Sequence, residues 1–361
     1  MQWLALILLI PYLYLLLKVY FSLRKIELYI PKKISDVFVS VIVACRNEEI
    51  NLSSLLSGLA SQDYNPDFFE VIIIDDNSTD NTFKMASSFT GIKKLKVIKN
   101  SGSGKKKAIK TGVDACAGEL VITTDADCRT GISWLKTIAS FYTGNKPAMI
   151  ICPVEMNGAR GFLQRFQELE FLSLQGVTAG TAAAGNPVMC NGANLAFAKE
   201  AFQKYSGNLH EEKVSGDDVF LLHNLKRNKG NRILWLESPE AIVTTGTSEA
   251  FSSFLHQRAR WISKAGSYND SYTIILAIVT FVTILIQPLI LIAVIVDPVF
   301  LAVFLAAFVL KSIPDFLILR NTALRYKKKS LMRWFVPSQI FYTYYILRVV
   351  PKAIFGGNRW N

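Results

Sequence analysis

Apolar residues are concentrated at the two ends of the chain, and a more polar stretch lies between them. The first apolar segment, Trp3–Leu17, continues to Leu23 and is then long enough to cross a membrane. A cleaved signal peptide is the alternative, but no basic residues precede the segment and no small-x-small cleavage site follows it. Three further apolar runs lie near the C-terminus: Tyr272–Val296, Pro298–Leu319 and Trp334–Val350.

Basic residues beside these apolar runs predict the orientation. Arg24 and Lys25 follow the first run, and a basic loop separates the last two. Lys and Arg mark the cytoplasmic side of membrane segments. We therefore expect an integral protein of the bacterial cytoplasmic membrane. Its expected parts are a transmembrane helix (1–23), a cytoplasmic domain with interfacial helices (24–270) and a C-terminal region of about three transmembrane or interfacial helices (271–361).

Within the central stretch, apolar runs alternate with segments of helical periodicity. Four runs have the composition of buried strands: Val37–Ala44, Val71–Ile74, Leu95–Ile98 and Leu120–Thr123. Helical patterns such as Ile50–Ala60 and Asp80–Phe89 separate them. This alternation predicts an α/β fold with a mostly parallel sheet that is covered on both faces. Ligands of such sheets bind outside the carboxyl ends of the strands.

Composition and net charge disfavour several classes of protein. The hydrophobic content of 51%, the charged content of 19% and a mean hydropathy of +0.28 disfavour a wholly soluble or disordered chain. A net charge of +12 suits nucleic acid or an anionic membrane surface, and the basic residues beside apolar runs favour membrane lipids. We predict no nucleic-acid partner. The five cysteines form no CxxC and the three histidines no HxxxH, which argues against zinc.

Acidic residues stand where two strands end and where a later helix begins. Asp76 follows the second run, and it either accepts from a nucleotide or caps the next helix. Asp125 and Asp127 follow the fourth run at a spacing that suits one Mg²⁺ or Mn²⁺ ion bridging to phosphates. Asp217 and Asp218 precede a helical pattern, so one of them serves as a general base or both cap the helix.

Two basic segments and one apolar segment leave alternatives open. Gly102–Lys107 lacks the spacing of a P-loop, so it is either a basic loop over phosphates or a solvated lysine cluster. Gln257–Trp261 is either an interfacial anchor or a clamp on a pyrophosphate. Phe162–Leu174 has helical spacing of apolar residues, which predicts a helix in the membrane interface or one packed in a core.

Taken in order, these motifs resemble those of the membrane-embedded inverting glycosyltransferases of family two. That family includes cellulose, hyaluronan and poly-N-acetylglucosamine synthases and ceramide glucosyltransferase. The resemblance covers roughly residues 36–265 and rests on an Asp-Asp pair, a DxD motif, a second acidic pair and QxxRW. It implies a GT-A-type Rossmann-like sheet, a nucleotide-sugar donor (UDP-linked by preference), Mg²⁺ or Mn²⁺ as cofactor and inversion of the anomeric centre.

The resemblance also implies roles for individual residues. Asp218 falls on the general-base position, beside Asp217 where the family usually has Glu. Asp127, and Asp125 with it, would hold the metal. Residues expected to contact the nucleotide, the diphosphate or the acceptor, or to close the site over them, are Ala44, Arg46, Glu48, Asp76, Lys105, Asn191, Gln257, Arg260 and Trp261.

Seven of these residues carry a more specific expectation. Asp76 would contact the uracil or ribose, Lys105 would approach the diphosphate, and Asn191 would contact the acceptor sugar. Arg46 stands where the family often has an aromatic side chain, so stacking on the base is not expected there. Gln257, Arg260 and Trp261 match QxxRW, which in the family helps to close the site.

The identity of the acceptor divides the functional hypothesis. A single transfer to a lipid or lipid-linked acceptor is the leading interpretation. A processive polysaccharide synthase is the alternative, and with about four spans it would need a dimer or an accessory subunit. Lys311, Asp315 and Arg348 are the charged residues of the C-terminal apolar runs that could line a conduit. A catalytically silent membrane subunit is the remaining alternative.

Overall fold

The structure is a computed structural model and describes residues 2–31, 36–158, 161–207, 209 and 216–356. The chain forms two compact units. The first, helical unit contains the residues up to 26 together with 158–188 and 247–356. The second, α/β unit contains residues 27–157 and 189–246. The predicted membrane and cytoplasmic boundaries at residues 23 and 270 stay predictions.

The described residues of the α/β unit form ten strands in two sheets. The strands are β1 (Val39–Cys45), β2 (Phe69–Asp75), β3 (Leu95–Lys99), β4 (Leu120–Asp125), β5 (Arg129–Thr130), β6 (Met149–Ile151), β7 (Val154–Asn157), β8 (Leu195–Ala198), β9 (Ile233–Trp235) and β10 (Val243–Gly246). The larger sheet has the order β3-β2-β1-β4-β8-β6-β9, and the smaller has the order β5-β10-β7. In the larger sheet β8 is antiparallel to β4 and β6, and the other pairings are parallel.

Helices cover the sheet and form the other unit. The helices are α1 (Ile10–Arg24), α2 (Leu52–Ala60), α3 (Thr82–Ser88), α4 (Lys105–Ala115), α5 (Trp134–Asn145), α6 (Phe162–Ala183), α7 (Lys199–Tyr205), α8 (Asp217–Lys226), α9 (Phe251–Ser263), α10 (Ser271–Ala293), α11 (Val299–Arg325) and α12 (Phe335–Phe355). Short 3₁₀ helices cover Gln2–Leu9, Gly192–Asn194, Pro239–Ala241, Ala265–Ser267 and Lys329–Trp334.

The four predicted strands are confirmed, and their carboxyl ends extend further than the apolar runs do. β2 continues through Asp75 and β4 through Asp125 because backbone pairing continues past the last apolar residue. For example, the Asn100 N–H donates to the Asp75 carbonyl at 2.8 Å. All seven residues of β2 are buried, which agrees with a sheet covered on both faces. Asp75 and Asp125, the first acidic residues after these apolar runs, are therefore still part of the sheet.

Within the part of the helical unit that the structure describes, three helices are long and apolar enough to cross a membrane: Ala5–Arg24, α10 and α11. The N-terminal segment and the first two C-terminal runs of the prediction are thus helices of spanning length. The third predicted run forms α12, which carries Arg348 and Lys352 and is not among these three. Among the described residues, the candidate spans therefore number one at the N-terminus and two near the C-terminus.

Helix α6 is longer than the apolar pattern of Phe162–Leu174 predicted. It continues to Ala183 because small residues allow other helices of the unit to approach closely. A Cβ on Gly176 would lie 2.4 Å from the Thr322 hydroxyl of α11, and a Cβ on Gly180 would lie 2.6 Å from the Val19 carbonyl of α1. This part of α6 packs through backbone surface rather than through an apolar stripe. Of the two alternatives, α6 matches the packed helix, while its placement at a membrane interface stays a prediction.

A network of polar side chains lies inside the helical unit. Lys311 is 4% exposed, and its Nζ lies 2.7 Å from an Asp315 oxygen one turn further along α11. The same ammonium donates to the Gln339 side chain of α12 at 2.5 Å, and the Tyr12 hydroxyl of α1 donates to Asp315. These bonds join three helices. The two opposite charges stabilise each other within a mostly apolar surrounding.

Removing one member of this pair should cost more than removing both. Lys311→Met leaves the Asp315 carboxylate without its counter-ion, and breaking a buried pair in this way costs about 3–5 kcal/mol. We expect Lys311→Met to lower the thermal midpoint more than the double variant Lys311→Met/Asp315→Asn does. Thermal unfolding of the detergent-solubilised protein measures both. Equal losses in the two variants would contradict a buried ion pair.

Candidate active site

Asp76, which directly follows β2, binds the loop that precedes α4. Asp76 is 2% exposed, and its carboxylate accepts from the Gly104 N–H at 2.9 and 3.0 Å and from the Asn100 amide at 2.7 Å. The Asn77 amide donates to the Gly102 carbonyl at 2.9 Å. Gly104 has a φ of +96°, which favours glycine and lets its N–H face the carboxylate. Asp76 therefore orients the basic loop, a role that its position in the sequence did not indicate.

Asp75 was not selected from the sequence, but it has the less satisfied carboxylate of the pair. It is 3% exposed, and its Oδ1 has no hydrogen-bond partner. Its Oδ2 accepts from the Ser78 N–H at 3.4 Å. A buried carboxylate oxygen without a donor is costly unless a ligand supplies one. The sequence shows two adjacent aspartates, Asp75 and Asp76. It does not show which of the two carboxylates is fully hydrogen-bonded within the protein.

The DxD motif forms a turn at the end of β4. Asp125 is the last residue of that strand, and its carbonyl accepts from the Cys128 N–H at 3.1 Å. The Asp127 Oδ2 accepts from the Thr245 hydroxyl of β10 at 2.9 Å. Thr245 was not predicted as part of the site. It comes from the smaller sheet, 118 residues further along the chain.

Lys105, the first residue of α4, forms an ion pair with the Asp125 carboxylate. Burial by itself lowers the pKa of Lys105, but the charges of Asp125, Asp217 and Asp218 outweigh burial and raise that pKa. The ammonium therefore stays protonated within a group of acidic side chains. Lys106 is also held, since its Nζ donates to the Leu209 carbonyl at 2.7 Å and lies 4.9 Å from the Phe220 ring centroid. The loop is thus more than a solvated lysine cluster.

Burial and neighbouring carboxylates raise the pKa of Glu48 and of Asp127. The pKa of Glu48 is raised by loss of hydration and then by the charges of Asp127 and Asp125, although a hydrogen bond from Asn51 opposes the shift. The pKa of Asp127 is raised by displacement of water around its carboxyl and then by Asp125, against the bond from Thr245. Local negative charge is therefore in excess, which favours a cation beside Asp127.

The second acidic pair opens α8. Gly216 precedes it with a φ of +101°, and Asp217 and Asp218 form the first turn of the helix. The Asp218 carboxylate accepts from the Gly192 N–H at 3.0 Å and from the Val219 N–H at 2.8 Å. Asp218 therefore lies in the first turn of α8, and its carboxylate is oriented by the hydrogen bond from Gly192.

Gly192 lies where the second acidic pair and the basic loop approach each other. A Cβ at this position would be 3.7 Å from the Lys105 Nζ and 3.8 Å from the Asp218 Oδ2. The Thr123 hydroxyl of β4 donates to the Gly192 carbonyl at 2.8 Å and holds the turn against the sheet. Asn191, beside it, is half-buried and caps the turn by accepting from the Ala193 N–H at 3.0 Å.

Most of the predicted site residues lie in the α/β unit: at or just after the carboxyl ends of β1, β2 and β4, at the starts of α4 and α8, or just before β8. These are Ala44, Arg46, Glu48, Asp76, Lys105, Asp125, Asp127, Asn191, Asp217 and Asp218. Gln257, Arg260 and Trp261 lie on α9 in the helical unit. Their part in closing a site stays a prediction.

A divalent cation fits the donor set when the substrate supplies further ligands. Among the described residues, no three His, Cys, Asp or Glu side chains are grouped so as to hold a metal ion on their own. Mg²⁺ and its relatives bind through one or two carboxylates together with water and substrate phosphates. Asp127, with Asp125, offers that number of oxygen ligands, and the excess of negative charge described above agrees with it.

Comparison with known proteins agrees with this geometry. Residues 40–206, which include both aspartate pairs at the strand ends, match the model of the family Glycosyl transferase family 2. The chain contains a glycosyl transferase family 2 domain. The resemblance to family two that the motif order indicated is confirmed for this domain, while inversion and membrane embedding stay predictions. The matched region ends before Asp217 and before α9.

Relatives of the glycosyl transferase domain come from bacteria and archaea. The chain is 25% identical over 233 residues to the probable glycosyltransferase YdaM of Bacillus subtilis (62% of this chain, 54% of the relative). It is 28% identical over 230 residues to the beta-monoglucosyldiacylglycerol synthase of Nostoc sp. (62% of this chain, 48% of the relative). The chain thus spans about half the length of the curated relatives it matches.

One solved structure is similar over nearly the whole chain. The mannosyltransferase PcManGT of Pyrobaculum calidifontis, solved with GDP-Man and Mn²⁺, has a TM-score of 0.61 and 18% identity. The match covers 98% of this chain and 99% of that one. At this identity the likeness shows the fold, and it confirms the predicted GT-A-type α/β architecture around the glycosyl transferase domain.

Weakening the bond between Asp76 and the basic loop should loosen that loop. In Asp76→Asn an amide replaces the carboxylate that accepts from Gly104, and a hydrogen bond to a charged group contributes about 1.5–3 kcal/mol. We expect trypsin to cleave after Lys105–Lys107 about 10-fold faster or more. Mass spectrometry of the early fragments measures the rate. Asp114→Asn, an exposed change on α4, serves as the control and should leave the rate unchanged.

Proposed function

We propose that the chain is a glycosyltransferase that moves one sugar from a nucleotide sugar to a lipid or lipid-linked acceptor. The observation that carries this proposal is the convergence of Lys105 and Asp218 on Gly192, with Asp125 paired to that lysine. The arrangement places a cationic group for a leaving diphosphate beside a carboxylate that can accept a proton. It lies at the carboxyl ends of the strands, where ligands of such sheets bind.

The donor would bind where the strand-end carboxylates lie. Asp127 and Asp125 would hold Mg²⁺ or Mn²⁺, which would neutralise charge on the diphosphate as the glycosidic bond breaks. Lys105 is protonated and would add a second positive charge by exchanging Asp125 for a phosphate oxygen. Asp75 and Asp76, at the end of β2, would face the nucleoside. The buried Oδ1 of Asp75 can accept an N–H or O–H donor from it.

Asp218 would act as the general base. Each carboxylate oxygen has two acceptor sites, so Oδ2 can keep the Gly192 N–H bond while it accepts the proton of an acceptor hydroxyl. The C–O bond to the acceptor forms as the bond to the diphosphate breaks, and the hydroxyl proton passes to Asp218. Attack opposite the leaving group inverts the anomeric centre. General-base assistance of this kind contributes about 10²- to 10⁴-fold in rate.

A lipid acceptor is favoured by the helical unit. Its three helices of spanning length would place the chain in a membrane, and Arg24 and Lys25 would keep the α/β unit in the cytoplasm. Lys311 and Asp315, the charges that could line a glycan conduit, are paired to each other and largely buried. One relative is named for the synthesis of a glucosyl diacylglycerol. These observations favour a single transfer over extension of a polysaccharide.

The first test is release of nucleoside diphosphate from a panel of UDP- and GDP-linked sugars by protein in lipid nanodiscs. We expect one donor to be turned over in the presence of diacylglycerol or polyprenyl phosphate, and EDTA to abolish turnover until Mg²⁺ or Mn²⁺ is added back. Asp218→Asn should lower kcat by 10²-fold or more. Asp114→Asn is the surface control.

Mass spectrometry of the product separates the alternatives. A lipid with one added sugar supports the proposal, and a polymer would replace it with a synthase. No release from any donor would point to a catalytically silent subunit. Full activity in Asp218→Asn would remove that residue from the base position.

A methyl group between Lys105 and Asp218 should block the reaction without unfolding the protein. Gly192→Ala introduces a Cβ at 3.7–3.8 Å from both side chains, which is ordinary contact distance, and φ is not positive there. The methyl group would occupy space that the substrate needs. We expect kcat/KM to fall at least 10-fold while the thermal midpoint changes by less than about 2 °C, because no overpacking results. Gly144→Ala, where a Cβ meets nothing within 4 Å, is the matched control.

A further inference from the structure

Arg258 lies inside the Gln257–Trp261 motif but was not assigned a role there. Its side chain is 2% exposed, and Arg258 is among the largest fully buried side chains of the described residues. A buried guanidinium requires strong partners because its charge cannot be neutralised by loss of a proton. The residues that bind the Arg258 guanidinium indicate which parts of the protein it holds in place.

The guanidinium of Arg258 contacts α6 and two other residues of the motif. Its Nε donates to the Glu170 oxygens at 3.0 and 3.1 Å, and its Nη2 lies 2.7 Å from Glu170 Oε2. Its Nη1 donates to the Gln257 side-chain oxygen at 2.6 Å. The guanidinium carbon lies 4.1 Å from the ring centroid of Trp261 and 4.8 Å from that of Phe254. One planar group therefore touches both Gln257 and Trp261.

Helix α6 also holds the segment that precedes α9. The Gln167 amide donates to the Ser248 carbonyl at 2.8 Å, and its oxygen accepts from the Ser248 N–H at 2.9 Å. Gln164 donates more weakly to the Ser248 and Glu249 carbonyls. Gln164, Gln167 and Glu170 are three residues apart, so they share one face of α6. This polar face fixes both the start of α9 and its middle.

The chemistry of this contact favours orientation over stability. A buried ion pair often contributes no more stability than well-packed apolar residues of the same size would. A forked guanidinium, in contrast, fixes direction because two of its N–H groups meet one carboxylate in a plane, and its faces stack on aromatic rings. Lysine carries the same charge but has neither property. The contact thus restrains the rotation of the Gln257 amide and the Trp261 ring.

We propose that Arg258 and Glu170 are positioning residues that hold Gln257 and Trp261 in one orientation. Neither is proposed to touch substrate. The inference rests on the proposed function only in that Gln257 and Trp261 act on donor or acceptor. The orientation itself is a property of the helical unit and can be measured without turnover.

The orientation of Trp261 is tested by ¹⁹F NMR of the full chain in nanodiscs, with 5-fluorotryptophan at its six tryptophans. Trp261→Phe identifies the resonance. Arg258→Lys and Glu170→Gln should each shift and broaden the Trp261 signal and leave the other assigned signals in place. Arg165→Lys is the matched control, since Arg165 also pairs with an acid of α6 (Glu168, 3.0 Å). An unchanged Trp261 resonance in both Glu170→Gln and Arg258→Lys would overturn the proposal.

Kinetics of the same variants test what the orientation does. Misplacement of a positioned group by about 1 Å can cost 10²-fold in rate. We expect Arg258→Lys to lower kcat 10- to 100-fold with a change in donor KM below about 3-fold, and Arg165→Lys to leave both unchanged. A displaced Trp261 resonance with unaltered kcat and KM would overturn the positioning role. If wild-type protein turns over no donor, the proposed function fails, and the NMR result still decides whether Arg258 fixes Trp261.

Discussion

The register of the parallel strands β1, β2 and β4 is the constraint on which the α/β unit depends. Cys45 pairs with Asp75 and Ala44 with Asp125, so the three strands end at the same level. Slipping one strand by a single residue would turn its side chains to the opposite face. The buried aliphatic residues of these strands prevent that slip. Core packing therefore determines where the acidic turns meet.

Backbone N–H groups, as well as charged side chains, orient the acidic side chains of the candidate site. The N–H of Gly104 binds Asp76, and the N–H of Gly192 binds Asp218. A glycine at each place lets the backbone come close, and at Gly192 it leaves space beside Lys105. Carboxylates fixed in this way keep their direction when a substrate arrives, which limits the reorganisation that a reaction requires.

The sequence was sufficient to predict β1 to β4 and the three helices of spanning length, because these follow from local periodicity. The remaining strands are short and were not predicted, and the third C-terminal run forms α12, which is not among the helices of spanning length. The polar contacts of Asp76 with Gly104 and of Asp127 with Thr245 were missed, since they join segments that only the folded sheet brings together. The second half of α6 was missed for a different reason. Helices that pack through Gly176 and Gly180 have no apolar stripe to detect.

Arg258 illustrates a further limit of motif reasoning. The pattern QxxRW marks Gln257, Arg260 and Trp261 and leaves the intervening positions unassigned. The partner of Arg258 lies 88 residues earlier on another helix, at a distance that no local pattern encodes. The contacts of the folded chain identify such a residue by its burial and its fork of hydrogen bonds.

The pairing of Lys311 with Asp315 has a consequence for how α11 would respond to a membrane potential. The two residues lie one helical turn apart on α11, a helix of spanning length. Their charges cancel, so the segment carries a short dipole instead of a net charge. The electric field across a membrane exerts a net force only on net charge, whereas on a dipole it exerts a torque. A membrane potential would therefore exert almost no net force on this pair, and it would act on the pair mainly by favouring one direction of its dipole.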